Sequence, residues 1–324
     1  MIISQLQKRF CWLSLWFGTT LATGVLYRLV LNSLFFEFPI FVLLIQSSIG
    51  LTISQLTANN KTEEKWSFAK IRYETVLTTF ALTGATYLNY ISLYKESATS
   101  NILRYSLAPC LVYFSLRTLR NSRLLLLLAI FSTIIVSYAT SPTVPLVEVS
   151  FESSSLYGIS NLLFSLLAVA LVRQSVNQSC VKDFLSGHFI VSSSFLFLLE
   201  IFQHEIRPMT EYLLIWRQPN FFTVLLTFLL CSLSSFYCFC RVLQEVDLAT
   251  VGLAFNALGA CEFVLVNYLY ENVADKKVFE PISSSTVFLA FLSVLLMIFG
   301  FWKDRHPRNV EKARDSWACK ESLS

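Results

Sequence analysis

Charge is what this sequence has least of. Of 324 residues only 14% are Asp, Glu, Lys or Arg, while 55% are hydrophobic and 29 are Phe, too little charge to solvate the surface of a globular chain of this size. That shortage excludes a soluble domain and leaves an integral membrane protein. Histidine is nearly absent, with three in the chain, and "HEIRP" at His204 lacks the second histidine of a zinc-protease helix. There is no glycine-rich phosphate loop and no G-x-S-x-G elbow, so the soluble-enzyme classes fall away and no catalytic activity is expected. The eight Cys are scattered, and Cys11, Cys110, Cys231, Cys238, Cys240 and Cys261 stand within apolar runs, where a thiol acts as a small hydrophobe. Cys238 and Cys240, two apart, point to different faces of a helix, so no metal-binding spacing exists and neither metal nor cofactor is expected. Cys319 near the C-terminus is a weak candidate for acylation. No small-residue cleavage pattern follows the first apolar stretch, which is therefore counted as a helix.

What the chain does have is apolar runs. A bilayer core about 30 Å thick takes roughly 20 residues per helix, and segments of that length fall at 10–31, 35–57, 74–93, 97–117, 123–141, 156–173, 184–203, 221–243, 247–270 and 283–302. None alternates as a barrel strand does, and lipid leaves helices as the only other way to satisfy the backbone. The expected fold class is all-α and polytopic, with ten transmembrane helices.

Lys and Arg are shared unequally between the two sets of loops. The side holding the N-terminus carries 18 and the other side carries 5, with Arg28 and Arg104 inside segments. The positive-inside bias puts both termini in the cytosol. The net charge of +4 thus reports topology and calls for no nucleic-acid partner.

A shift of 151 residues lays "ESATSNILRYSLAPC" (96–110) on "DLATVGLAFNALGAC" (247–261), matching Ala98 with Ala249, Thr99 with Thr250, Leu107 with Leu258 and Cys110 with Cys261. The shift is nearly half the chain and maps the fourth segment onto the ninth. Five segments per half force the second half to be inverted, the architecture of alternating access with a site at the midplane. The expected division is 1–150 for the first repeat, 151–303 for the second and 304–324 for a cytosolic tail.

Several stretches resemble a known family. "YRLVLNSLFFEFPIFVLLIQ" (27–46) is similar to the pattern that opens nucleotide-sugar and triose-phosphate transporters of the drug/metabolite transporter superfamily, with Arg28 where that pattern has Lys and with Pro39 and Gln46 in place. "TYLNYISLYKESATSNILRYSLAPCLVYF" (86–114) resembles the stretch in which a cation inside helix four is followed by a proline. "SSLYGISNLLFSLLAVALVRQ" (154–174) looks like the sixth helix and "ATVGLAFNALGACEFVLVNYLYE" (249–271) like the ninth. Departures are visible too: Tyr27 replaces an Asn, Arg104 precedes Pro109 by five positions rather than four, Phe255 stands where a Lys often precedes Asn256, and "LSGHFIVSSSF" (185–195) lacks the paired asparagines of guanosine-diphosphate-mannose carriers. The resemblance implies a small-molecule substrate of the nucleotide-sugar class, exchange for a nucleotide monophosphate, and a Golgi membrane.

Arg104 is the residue this frame must explain. It lies about 10–12 Å along its segment at 1.5 Å per residue, where holding a guanidinium costs at least ~2.5–3.5 kcal/mol unless it meets water or a counter-charge. Either it lines an aqueous cavity and forks onto a substrate phosphate, or it snorkels to the surface or pairs with a buried acid, for which Glu262 is the natural candidate. Arg28 poses the same choice within a turn of its helix end. Asn89, Tyr90, Asn161, His188, Tyr237, Asn256 and Asn267 are polar groups that a base or sugar could use, and each taken singly is read first as glue between helices worth around 0.6–2 kcal/mol. The expected substrate-binding set is Arg104, Arg28, Asn256, His188, Tyr237, Tyr90 and Asn161. The other partners expected are membrane lipid and, left open, a second copy of the chain as a homodimer. Two alternatives stand beside the nucleotide-sugar carrier: a carrier of another phosphorylated or organic-anion metabolite, and a non-transporting polytopic scaffold or regulatory protein.

Overall fold

The computed structural model describes residues 2–34, 38–58, 72–94, 105–115, 126–127, 129–134, 151–207, 220–273 and 284–303. Among these residues all regular structure is helical. The named helices are α1 (Ile2–Leu34), α2 (Pro39–Ala58), α3 (Tyr73–Tyr94), α4 (Leu107–Ser115), α5 (Phe151–Gln178), α6 (Val181–Gln203), α7 (Phe221–Glu245), α8 (Leu248–Val273) and α9 (Ser284–Lys303), with a short helical piece at 129–134 between α4 and α5. Among the described residues six helices are long and apolar enough to cross a membrane, as a helix of 20 residues reaches about 30 Å.

Helix limits differ from hydropathy limits where the hydrogen-bond ladder outruns the apolar run. α1 begins at Ile2 rather than residue 10, and α5 extends to Gln178. Lys8, Arg9 and Arg173 end an apolar window without ending a helix, since lysine and arginine are good helix formers.

Contacts give each packed pair a direction. Lys8 meets Glu245, Thr20 meets Ser235 and Tyr27 meets Phe228, so α1 and α7 run antiparallel. In the same way Ser47 meets Ser192 and Gly50 meets Phe189, making α2 and α6 antiparallel, and Thr78–Ser175 with Gly84–Phe164 does so for α3 and α5. α4 and α8 are antiparallel, with Ala108 at Gly252 and Tyr105 at Gly259. α8 and α9 follow suit, with Ala260 beside Ala290 and Leu253 at Gly300. Two pairs are parallel: α3 with α6 through Thr79–His188 and Thr83–Ser192, and α1 with α8 through Trp16–Phe255 and Gly24–Glu262. The start of α1 and the end of α9 therefore share one face, called here the entry end.

Glycine sets the closest of these approaches. A methyl group on Gly252 would lie 2.9 Å from the Ala108 carbonyl oxygen, a backbone atom that cannot swing away, so α4 and α8 touch main chain to main chain as small-residue interfaces in membranes do. Two apolar clusters are the largest among the described residues. One, toward the entry end, holds Trp16, Phe184, Phe239, Leu243 and Val251. The other, toward the far end, holds Tyr27, Tyr90, Ile40, Phe221 and Phe228.

Candidate functional site

Between the clusters the helices carry polar groups at membrane depth. Small hydroxyl residues form a seam along α2, α3 and α6: Ser47 Oγ lies 2.9 Å from Ser192 Oγ, and Thr83 Oγ1 lies 3.4 Å from it. A turn nearer the entry end, His188 Nδ1 lies 3.1 Å from Thr79 Oγ1, with the Phe236 ring 4.8 Å from its own. The imidazole is buried among Phe184, Phe189 and Phe236. Such hydroxyls can turn either way to donate or accept, which lets one seam serve both packing and a polar ligand.

α8 supplies the deepest polar side chains. Asn256 is fully buried, and its Nδ2 donates to Ser132 Oγ at 3.3 Å and Thr133 Oγ1 at 3.1 Å. Its carbonyl oxygen has no hydrogen-bond partner among the described residues, nor has that of Gln46 on α2. Burying an acceptor unmet costs about 1–3 kcal/mol, so these are the atoms to which an incoming hydroxyl or amide has most to give. Glu262, two turns along α8, sets its carboxyl against Gly24 of α1, where even a methyl group would lie 2.6 Å from it. Glycine at 24 is thus the space that the carboxylate occupies.

The expected binding residues fall in several layers rather than at one point. Tyr90 lies toward the far end, its ring stacked on Tyr27 at 4.1 Å. Asn161 is buried on α5 and accepts from Ser165 of its own helix at 3.3 Å. Tyr237 lies toward the entry end, where its hydroxyl accepts from Arg241 Nε and Nη2, both at 3.2 Å. His188 and Asn256 stand between. Arg104 lies outside the described residues, as does the side chain of Arg28, whose backbone stands on α1 one turn beyond Gly24. Cys319 also lies outside them.

Three groups escaped the sequence reading, because each is made by residues far apart in the chain. At the entry end Arg241 covers the Trp12 and Tyr237 rings at 5.8 and 5.5 Å. Beside it, Arg173 of α5 reaches Asp247, which is buried in the two-residue turn between α7 and α8, at 3.9 Å. At the far end Glu205 places its carboxyl on the first amides of α2. Only a charge inside a predicted loop or segment end marked any of them. Among the described residues no three of His, Cys, Asp and Glu gather as metal ligands would.

No family model and no curated protein matches the chain. A solved structure known only as "Crystal structure of protein" is similar to it, with a TM-score of 0.65 and 13% identity over 95% of this chain and 100% of that one. At that identity the likeness is one of fold.

Proposed function

We propose that the chain is a membrane carrier that exchanges a nucleotide-sugar for a nucleotide monophosphate by alternating access. In this reading it has ten spanning helices in two inverted halves, 1–150 and 151–303, and lies in a Golgi membrane with both termini cytosolic. The observation that carries it is the packing pattern. Exchanging α1, α2, α3 and α4 with α5, α6, α7 and α8 turns the α1–α7 contact into α5–α3, α3–α6 into α7–α2, and α1–α8 into α5–α4, and leaves α2–α6 and α4–α8 unchanged. All of these contacts exist. The α5–α7 contact has no α1–α3 counterpart of similar extent, so the exchange is approximate. The opposite directions of α1 and α5 support reading the exchange as an inversion, the arrangement that lets one half rock against the other.

Direction also supports a tenth span. α4 and α5 both run toward the entry end, which favours a span of opposite direction between them. The helical residues 129–134 lie between them in the chain, tied to the residues just before α4 by Thr133 Oγ1 donating to the Tyr105 carbonyl at 3.1 Å. Their counterpart under the exchange is α9, and Ala129 and Met297 of α9 pack around the same Leu253.

The substrate class rests on the resemblance, with Arg104 and Arg28 as the cations for phosphate and Asn256, His188, Tyr90, Asn161 and Tyr237 as polar contacts along the path. A cationic pocket reorients only when its charge is compensated, which couples entry of one anion to exit of another. In liposomes holding the purified protein, uptake of labelled nucleotide-sugar should rise several-fold on preloading with the matching monophosphate. Arg104→Ala should lose ~2–5 kcal/mol of substrate interaction, with Arg104→Lys recovering part of it. Uptake of a different phosphorylated or organic anion alone would select the second carrier reading, and no uptake of any anion would select the scaffold.

A further inference from the structure

The entry end holds a half-buried guanidinium that no neighbouring acid neutralises. Tyr237 and Arg241 stand four apart on α7, so their side chains share one face of the helix, and Trp12 meets them from α1. Arg241 Cζ lies 5.8 Å from the centre of the Trp12 ring and 5.5 Å from that of Tyr237, and the two rings meet edge to face at 5.9 Å. Two aromatic rings thus hold the planar group in place, which leaves it little freedom to lose when a ligand arrives. The nearby carboxylates of α7 and the turn after it are engaged elsewhere. Glu245 meets Lys8 at 2.7 Å and Asp247 meets Arg173 at 3.9 Å, and no carboxylate among the described residues stands within ion-pair reach of Arg241. Arg9, half-buried and three residues before Trp12 on α1, is a second cation without one among those residues.

Donors are left over as well as charge. An arginine carries five N–H groups. Arg241 Nε and Nη2 each donate to Tyr237 Oη at 3.2 Å, and Nη1 donates to Gln244 Oε1 at 3.4 Å, which leaves one hydrogen on each terminal nitrogen. Tyr237 Oη accepts from both and keeps its own hydrogen for another partner. Gln244 is fixed in turn, because its Nε2 donates to the Val176 carbonyl of α5 at 3.2 Å. Two N–H groups and one O–H, on side chains that touch, therefore have no acceptor among the described residues.

We propose that Arg241 and Tyr237, backed by Trp12, form a binding site for a phosphate monoester at the entry end. A carboxylate has two oxygens to set against three donors, whereas a monoester phosphate brings three terminal oxygens and a charge of about −1.5 to −2 near neutrality. The guanidinium fork matches such a group in geometry as well as in charge. Arg241 stands one turn before the end of α7, and Trp and Tyr are the residues that mark the membrane surface. A phosphate monoester reaches that level either on a nucleotide in water or as the headgroup of phosphatidic acid. The site is separate from Arg104 and Arg28. The carrier reading supplies only its place, the mouth of the path, and the binding itself does not rest on that reading.

The test measures binding and not transport. The full-length protein in phosphatidylcholine nanodiscs is titrated with labelled inorganic phosphate at about 0.1 M salt, where a Debye length of about 10 Å screens charges that merely lie nearby. The same titration on Arg104→Ala subtracts any phosphate that Arg104 holds. Arg241→Gln should weaken the remaining binding about tenfold or more, and Arg241→Lys, which keeps the charge and loses the fork, should recover only part. Tyr237→Phe should weaken it about threefold or more. Melting temperatures show which variants fold, and the Lys and Phe variants keep the test decisive if Arg241→Gln does not. Nanodiscs doped with phosphatidic acid separate the two sources. Lipid that displaces the labelled phosphate, and that stays on the natural protein but not on Arg241→Gln in native mass spectrometry, identifies a headgroup. Displacement by a nucleoside monophosphate alone identifies a soluble ligand. Affinities for phosphate and phosphatidic acid that stay within about twofold in all three folded variants would overturn the site. Binding that depends on Arg241 in a protein that moves no anion in liposomes would keep the site and remove the carrier.

Discussion

At the entry end the helices are joined by cations, Lys8 on Glu245, Arg173 on Asp247 and Arg241 over Trp12 and Tyr237, whereas the far end is joined by Tyr27 stacked on Tyr90 and by a carboxyl set on two backbone amides. The first two are ion pairs, weakened by salt where they face water, and the third is a cation over aromatic rings. Guanidinium groups as a class do not titrate in the biological range. At the far end burial pushes the Glu205 carboxyl up toward about 7, against the pull of the two amides that it caps. Salt would then bear on the entry end more than on the far end.

The strongest way to break this comparison is through the aromatic layer beneath the entry-end charges. Trp16, 2% exposed, packs between Phe239 at 5.5 Å and Phe255 at 5.2 Å. Trp16→Ala should cost ~3–5 kcal/mol of stability in thermal unfolding in detergent. A loss under ~1 kcal/mol would mean that the charges, and not the rings, hold that end. Arg173→Ala comes next. Taking away a partner of the buried Asp247 should cost about 1–3 kcal/mol, and pairing it with Asp247→Asn should cost less than the two single changes summed. Simple additivity in that double-mutant cycle would show that the two side chains do not interact. Smallest is Lys8→Ala. Its partner side chain is 26% exposed and its own 57%, so the loss should be ~0.2–1 kcal/mol at low salt and vanish near 0.5 M. The Glu205 cap on α2 should survive that salt unchanged in hydrogen exchange of the segment 38–45, and a cap that melted with it would erase the difference between the ends.

Much of the helical framework is legible in the sequence because lipid imposes a length and a composition that a window of residues can register. Partners are another matter. Glu205 stands in "HEIRP", which by local pattern is only a zinc motif with one histidine too few, and its role appears once α2, 165 residues away, is laid against it. Arg241 and Trp12 are equally silent alone. His188 and Asn256 could be marked as polar residues in apolar helices, since that contrast is local. Whether each faces a neighbour or a cavity depends on helix rotation, which a hydropathy pattern nearly uniform around the axis does not encode. Arg104 shows the converse, a residue whose oddity is obvious in one segment and whose surroundings lie outside the described residues.

The pairing of α1 with α7 also sets an order of events at the ribosome. About 190 residues separate the end of α1 from the start of α7, and at roughly 5–20 residues per second the first helix waits some 10–40 s for the surface that covers it. During that interval Thr19 and Thr23 need no partner, as each hydroxyl donates to a carbonyl one turn back, of Leu15 and Thr19, at 2.7 Å. Thr20 has its bond to Ser235 still to come. A nascent chain stalled before α7 would hold α1 with an uncovered flank, the kind of surface that membrane chaperones and quality-control proteases inspect.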